Sequence, residues 1–299
     1  MNIMRSPFSP IELFRLIIEL LVESKLKGFA FHPKLHTGLV RLTKTLSFLL
    51  KCIMHRFYHP EQISSPCKII LTEEASNHLA RVLRLKVQEP VSIFNGDEYD
   101  YHGIIQTIDK KKVTINIETK SLNICNPKIH ISLIQSVTSK EKIDMIFQKS
   151  TELGISSLQL IDSERSNFRI PDHKIDSRLE HLRKVVISAC EQSGRSRIPN
   201  IHNRIISFSD IKKSNENALK FILDPQAHQS LGKVEFNKIE NIKNILLLIG
   251  PEGGFTNSEI IIANKLGFQS INLGKRVLRT ETASLAMLSA MHMLFGDFV

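Results

Sequence analysis

The chain has no tryptophan, and its four cysteines, Cys52, Cys67, Cys125 and Cys190, are scattered over 299 residues. No C-x-x-C pair occurs, so neither a zinc site nor a disulfide framework is indicated, and a reducing cytosol suits the composition. No apolar run reaches the roughly eighteen residues of a membrane span. A secretory leader is not expected either, because Glu12, Arg15, Glu19 and Glu23 interrupt the first apolar stretch. Metal and phosphate signatures are missing in turn: there is no H-E-x-x-H, no G-x-G-x-x-G and no Walker loop, and no nucleophile elbow G-x-S-x-G. Acidic residues are the minority, 30 against 40 Lys and Arg, which leaves a net charge of +10. Such an excess suits a polyanionic partner such as nucleic acid, although a basic surface can also be merely solvated.

What is present is concentrated between residues 246 and 288. Residues 245–249 form an unbroken apolar run that reads as a strand buried on both faces, as in a parallel sheet. The run stops at Gly250-Pro251-Glu252-Gly253-Gly254, where three glycines allow a sharp turn and leave little to block a ligand. A helix is expected from Thr256, whose capping box is completed by Glu259 and whose stop is Gly267. A short strand at 270–273, a second tight point at Gly274 and a basic turn at 275–279 follow. The last helix should start near Thr280 and be apolar around most of its circumference, hence largely buried. Two glycine bends at the exits of apolar strands make one crevice, and ligands of open α/β sheets bind beyond the strand C-termini.

Four motifs, LLLIGPEGGF (246–255), LGKRVLRTETA (273–283), KSTELG (149–154) and ACEQSGR (189–195), resemble the RsmE family of RNA methyltransferases in the SPOUT superfamily. The resemblance runs from Met54 to the C-terminus. It implies an α/β trefoil-knot domain with a parallel sheet, preceded by a small PUA-like β-barrel. General fold rules argue against any knot, so that feature comes from the resemblance alone. The implied reaction is methyl transfer from S-adenosyl-L-methionine to N3 of a uridine in 16S ribosomal RNA of the small subunit, by a cytoplasmic homodimer. The implied cofactor residues are Leu248, Gly250, Pro251, Glu252, Gly253, Leu273, Gly274, Val277 and Leu278. Arg279, ending the basic turn, is the expected catalytic residue: its guanidinium would hold a uracil carbonyl and favour loss of the imide proton. Glu281 or Glu252, or water, would take that proton; Glu281 is equally a good partner for a helix dipole. The alternatives are the same chemistry on another RNA such as tRNA, and a non-catalytic RNA-binding assembly factor.

Residues 1–53 differ from the rest. Eight Lys and Arg against three Glu give them +5, half of the chain's excess. Apolar residues have helical spacing at 11–22 and again at 39–53. The family resemblance begins at Met54, so residues 1–53 read as sequence upstream of the true start, and protein beginning at Met54 is expected to be fully active; the alternative is a functional basic amphipathic extension that binds membrane or RNA. Residues 54–124 read as a β-rich RNA-binding domain. Val113, Ile115 and Ile117 alternate with polar residues, 109–112 is a hairpin turn, 95–97 is another turn, and a helical piece lies within 73–85. Arg56, Arg81, Arg84 and Lys86 are its candidate phosphate contacts, with Arg84 alternatively paired to Glu89. Gln88 stands where the family usually has glycine and would be strained at positive φ. Residues 125–299 form the expected methyltransferase domain. It should contain a strand from Ile129 to Leu133, a helix capped by Thr138 and Glu141 and ended by Gly154, a strand at 157–161 and a helix at 178–190. Arg165, Arg195 and Arg197 are its candidate RNA contacts, and no metal is expected.

Overall fold

A computed structural model describes residues 54–109, 112–211, 218–236 and 242–298. The two apolar helical patterns expected at 11–22 and 39–53 lie outside them. The described chain forms two sheets. The first holds β1 (His55–Tyr58), β2 (Cys67–Ile70), β3 (Pro90–Phe94), β4 (Tyr99–Asp109) and β5 (Lys112–Leu122), in the order β1-β3-β4-β5-β2. β1 runs parallel to β3; the other pairs are antiparallel. The alternation at 113–117 has its physical meaning here: Val113, Ile115 and Ile117 are fully buried in this sheet's core beside Ile93 and Leu79. α1 (Glu73–Asn77) covers that core, with Thr72 as N-cap accepting from Ala75 N at 3.2 Å. Its continuation, His78–Leu83, is a wider π-helical turn closed by Arg84 at φ 54°.

Gln88 adopts φ 74°, the strained conformation expected of it. Its N–H bonds Ile105 O at 2.8 Å, which fixes the turn despite the side chain. Gln88→Gly should therefore stabilise the protein by about 1 kcal/mol, the usual αL penalty less the extra chain entropy of glycine. Thermal melting checks this, with a rise of a few degrees expected.

The second sheet is wholly parallel: β6 (His130–Ser136), β7 (Ser157–Ile161), β8 (Asn200–Ile201), β9 (Ala218–Leu223), β10 (Asn244–Ile249) and β11 (Gln269–Ile271), ordered β11-β9-β10-β6-β7-β8. β10 is central, as its apolar run requires. Leu247 packs into a core beneath α2 (Lys140–Glu152), α3 (Asp172–Ser193) and α5 (Thr280–Phe295), while Leu248 packs into a second core beneath α4 (Asn257–Lys265). Each fully buried Leu or Ile contributes about 1.5–3 kcal/mol, and alternating faces let one strand supply both layers.

The capping box of α4 is present, and Gly267 ends that helix at φ 89°. Three local expectations need correction. α2 is capped at Ser139 without a side-chain bond, because the Thr138 hydroxyl is engaged elsewhere. The short strand covers Gln269–Ile271 instead of 270–273: Asn272 makes only a single bridge, to Ser230, and Leu273 lies beyond it. α5 is not buried all round: Ala286, Met293 and Leu294 are exposed, Met293 by 62 %. Its first turn is held on the other side, where α5 packs on α2, β6 and β10.

Candidate active site at the strand exits

Because the second sheet is parallel, the exits of β6, β7, β9, β10 and β11 share one edge. There the chain returns from the outer strand β11 to start α5 beside the central strands. Gln135, fully buried on β6, anchors that return: its Nε2 donates to Thr280 Oγ1 at 3.0 Å, and its Oε1 accepts from Ser284 Oγ at 2.6 Å. Thr280 Oγ1 donates in turn to Gly250 O at 2.6 Å. The glycine bend after β10 and the basic turn after β11 are thus joined through one hydroxyl. Sequence reasoning missed Gln135, although a lone amide in an apolar strand was the available signal: a buried amide needs partners.

An open pocket lies at the exits of β9 and β11, walled by Leu223, Leu273, Leu278 and Ala283, with Asp224, Asn272 and Arg276 as polar groups. Gly274 also lines it, at φ 105°, and a Cβ added there would meet nothing within 4 Å. Of the expected cofactor residues, Leu273, Gly274 and Leu278 come together in this pocket. Leu248 and Pro251 are buried, Leu248 in the core, and Val277 is 81 % exposed. Two of the three glycines after β10, Gly250 and Gly253, lack side chains for a different reason than expected; Gly254 has positive φ, 67°, and open space around it. A Cβ on Gly250 would lie 3.3 Å from the Phe255 ring, and one on Gly253 would lie 3.2 Å from Arg165 Cβ. Internal packing excludes side chains there. Among the pocket members that sequence reasoning did not select, Leu223, Asp224 and Asn272 carried the signal of lying at parallel-strand exits.

Glu252 faces away from that pocket's walls toward α2. Its Oε1 accepts from Thr138 Oγ1 and from Lys142 Nζ, each at 2.5 Å. Burial alone would push its carboxyl up, but these two donors outweigh it and hold the group below the ordinary glutamate value. Glu252 is therefore a weak base. Lys142 Nζ also lies 3.9 Å from Glu281 Oε2, a buried oxygen with no hydrogen-bond partner. Arg279 is the N-cap residue of α5, exposed, and without an ion pair among the described residues. It stands in the chain between Leu278, which lines the pocket, and the bonded Thr280; the arginine that lines the pocket itself is Arg276.

The expected RNA contacts divide sharply. Arg81, Arg84 and Lys86 are exposed on the first domain; Arg84 forms no pair with Glu89 among the described residues. Arg56 and Arg195 are corrections. Arg195 is 3 % exposed and donates to Thr151 O at 2.7 Å and Ile155 O at 2.8 Å, and Arg56 is paired with Asp100 at 2.8 Å. A guanidinium so enclosed is out of a phosphate's reach, even though the Nε of each has no hydrogen-bond partner among the described residues. Arg197 is half-exposed and paired with Glu98. Arg165 directs Nη1 to Gly253 O at 3.3 Å and Phe255 O at 3.2 Å, so it props the glycine bend.

A parallel sheet with glycine bends at its exits and a C-terminal return threaded beside the central strands is the SPOUT trefoil-knot class of α/β fold, here behind a PUA-like barrel. Residues 125–292 match the family of RNA methyltransferase domains, and residues 71–118 match the RNA methyltransferase PUA domain. Ribosomal RNA small subunit methyltransferase E of Buchnera aphidicola from Acyrthosiphon pisum is 32 % identical over 243 residues, 81 % of this chain and 94 % of that protein. The crystal structure of the methyltransferase of that name from Neisseria gonorrhoeae, bound to S-adenosyl methionine, is 34 % identical. It superposes with a TM-score of 0.75 over 82 % of this chain and 100 % of its own. A methyltransferase of Legionella pneumophila in complex with the same cofactor is 31 % identical, with a TM-score of 0.75 over 82 % and 99 %. The chain belongs to the ribosomal RNA small subunit methyltransferase E family of RNA methyltransferases.

Proposed function

We propose that this protein methylates N3 of a uridine in 16S ribosomal RNA of the small subunit, with S-adenosyl-L-methionine as cofactor. The observation that carries the reading is the pocket at Gly274: apolar walls, one position without a side chain, and a lining residue, Leu278, followed in the chain by exposed Arg279, which has no ion pair among the described residues. Leu223, Leu273, Leu278 and Ala283 suit the flat face of an adenine, and Asn272 and the loop backbone offer polar groups for its edge. When bound, the cofactor supplies an electrophilic methyl group. The chain's own residues do the rest. Arg279 donates to a uracil carbonyl oxygen and favours the ring that has lost its N3 proton. Glu281, whose Oε2 is buried and accepts no hydrogen bond, with Lys142 Nζ 3.9 Å away, is the better-placed carboxylate to receive that proton, because Glu252 accepts directly from Lys142 and Thr138.

Arg81, Arg84 and Lys86 present the charge for phosphate contacts, which orient an RNA without reading its sequence. The target base must leave any stack to enter the crevice. A homodimer is part of the same reading, supported by the exposed apolar residues Met293 and Leu294 on α5. No helix among the described residues is long and apolar enough to cross a membrane, and the site of action proposed is the cytoplasm. The test is transfer of labelled methyl groups to small ribosomal subunits, to naked 16S RNA and to tRNA. Label in ribosomal RNA is expected; label only in tRNA overturns the substrate, and none anywhere overturns the enzyme.

A further inference from the structure

The two domains meet around Asp100, a carboxylate on β4 that is 1 % exposed. Three side chains donate to it. Arg56 Nη1 reaches Oδ1 at 2.8 Å from β1, Asn123 Nδ2 reaches Oδ2 at 2.7 Å from the end of β5, and Ser196 Oγ comes from the catalytic domain. The donors do double duty. Arg56 Nη2 also bonds Arg195 O and Ser196 Oγ, each at 3.2 Å, and Asn123 Nδ2 also bonds Gly194 O at 2.8 Å. Nearby, Tyr58 N donates to Glu191 Oε1 at 3.0 Å. Residues 191–196, the end of α3 and the turn after it, are gripped from the barrel on one side. Arg195 pins the same turn from beneath, to Thr151 O and Ile155 O between α2 and β7.

A buried charge is tolerated only when its partners are in place, and removing one partner is costly. A joint of this kind has one good geometry and resists sliding. We infer that Asp100 is a positioning residue for methyl transfer: through Arg56, Asn123 and Ser196 it fixes the barrel's exposed cations Arg81, Arg84 and Lys86 relative to the strand-exit crevice, so that RNA held on the barrel delivers its base there. The inference rests on the ribosomal RNA reading above.

Asp100→Asn tests it, since the shape is kept and the charge is lost. KM for small ribosomal subunits should rise about tenfold or more, with kcat at saturation within twofold of the parent and cofactor affinity unchanged by calorimetry. An unchanged KM, or a fall in kcat alone, overturns the inference. Should Asp100→Asn fail to fold, Asn123→Ala removes one neutral bridge and should raise KM about threefold with the same split; no rise overturns it equally. A readout independent of activity separates this inference from the substrate assignment. Spin labels at Val82→Cys on the barrel and Met145→Cys on α2 occupy exposed positions, with Cys52, Cys67 and Cys125 changed to Ser. Their pulsed electron–electron distance distribution should be narrow, and broad once Asp100→Asn is added. An unaltered distribution contradicts a positioning role even if the RNA substrate proves to be different.

Discussion

Arg279→Ala should lower methyl transfer by about 10²–10³-fold, the typical loss when one preorganised donor is removed from a site of developing negative charge. The residue is expendable for folding: it is exposed, its side chain has no ion pair among the described residues, and only its backbone carbonyl takes part in α5, accepting from Ala283 N at 2.8 Å. Cofactor affinity and melting temperature should therefore stay close to those of the parent, while the single-turnover rate collapses. Arg279→Lys keeps the charge but loses the planar fork, and should recover only part of the rate. A variant that turns over at the parent rate removes Arg279 from the chemistry.

The second large effect is expected at Gly274. Valine there must adopt φ 105°, a conformation that a β-branched residue avoids. The strain is about 2 kcal/mol. The empty loop can relieve it by rearranging and the bound loop cannot, so the dissociation constant for S-adenosylmethionine should rise about 30-fold. Calorimetry reads it directly. Gly250→Ala makes the contrast. Its Cβ presses on the Phe255 ring inside the protein, so melting temperature should fall before cofactor affinity does. Equal cofactor affinity in Gly274→Val and the parent would move the binding site elsewhere.

These two glycines look alike in the sequence and differ in the structure, which marks where sequence reasoning stops. The central strand was legible because five apolar residues in a row can be buried only from both sides, and Leu247 and Leu248 do face opposite cores. The Thr256–Glu259 cap was legible because it is set by neighbours within a few residues, and the strain at Gln88 because the resembling family usually has glycine at that turn. Thr138 and Glu141 have the same local spacing, yet Thr138 bonds Glu252, 114 positions away. A distant carboxylate outcompeted the local cap. Arg56 and Arg195 read as surface cations because the carbonyls and the buried Asp100 that enclose them come from other elements. The pocket was half legible: Gly274 announces itself and the family resemblance supplies Leu278, whereas Leu223 and Asp224 join only when β9 is placed beside β11.

The most direct measurement is the identity of the product. Small-subunit RNA incubated with the protein and isotopically labelled S-adenosylmethionine, digested to nucleosides and resolved by chromatography with mass spectrometry, should yield one labelled species that coincides with N3-methyluridine. Label in a ribose 2′-O-methyl nucleoside, in a purine, or at C5 of uridine would contradict the role proposed for Arg279 at a uracil imide.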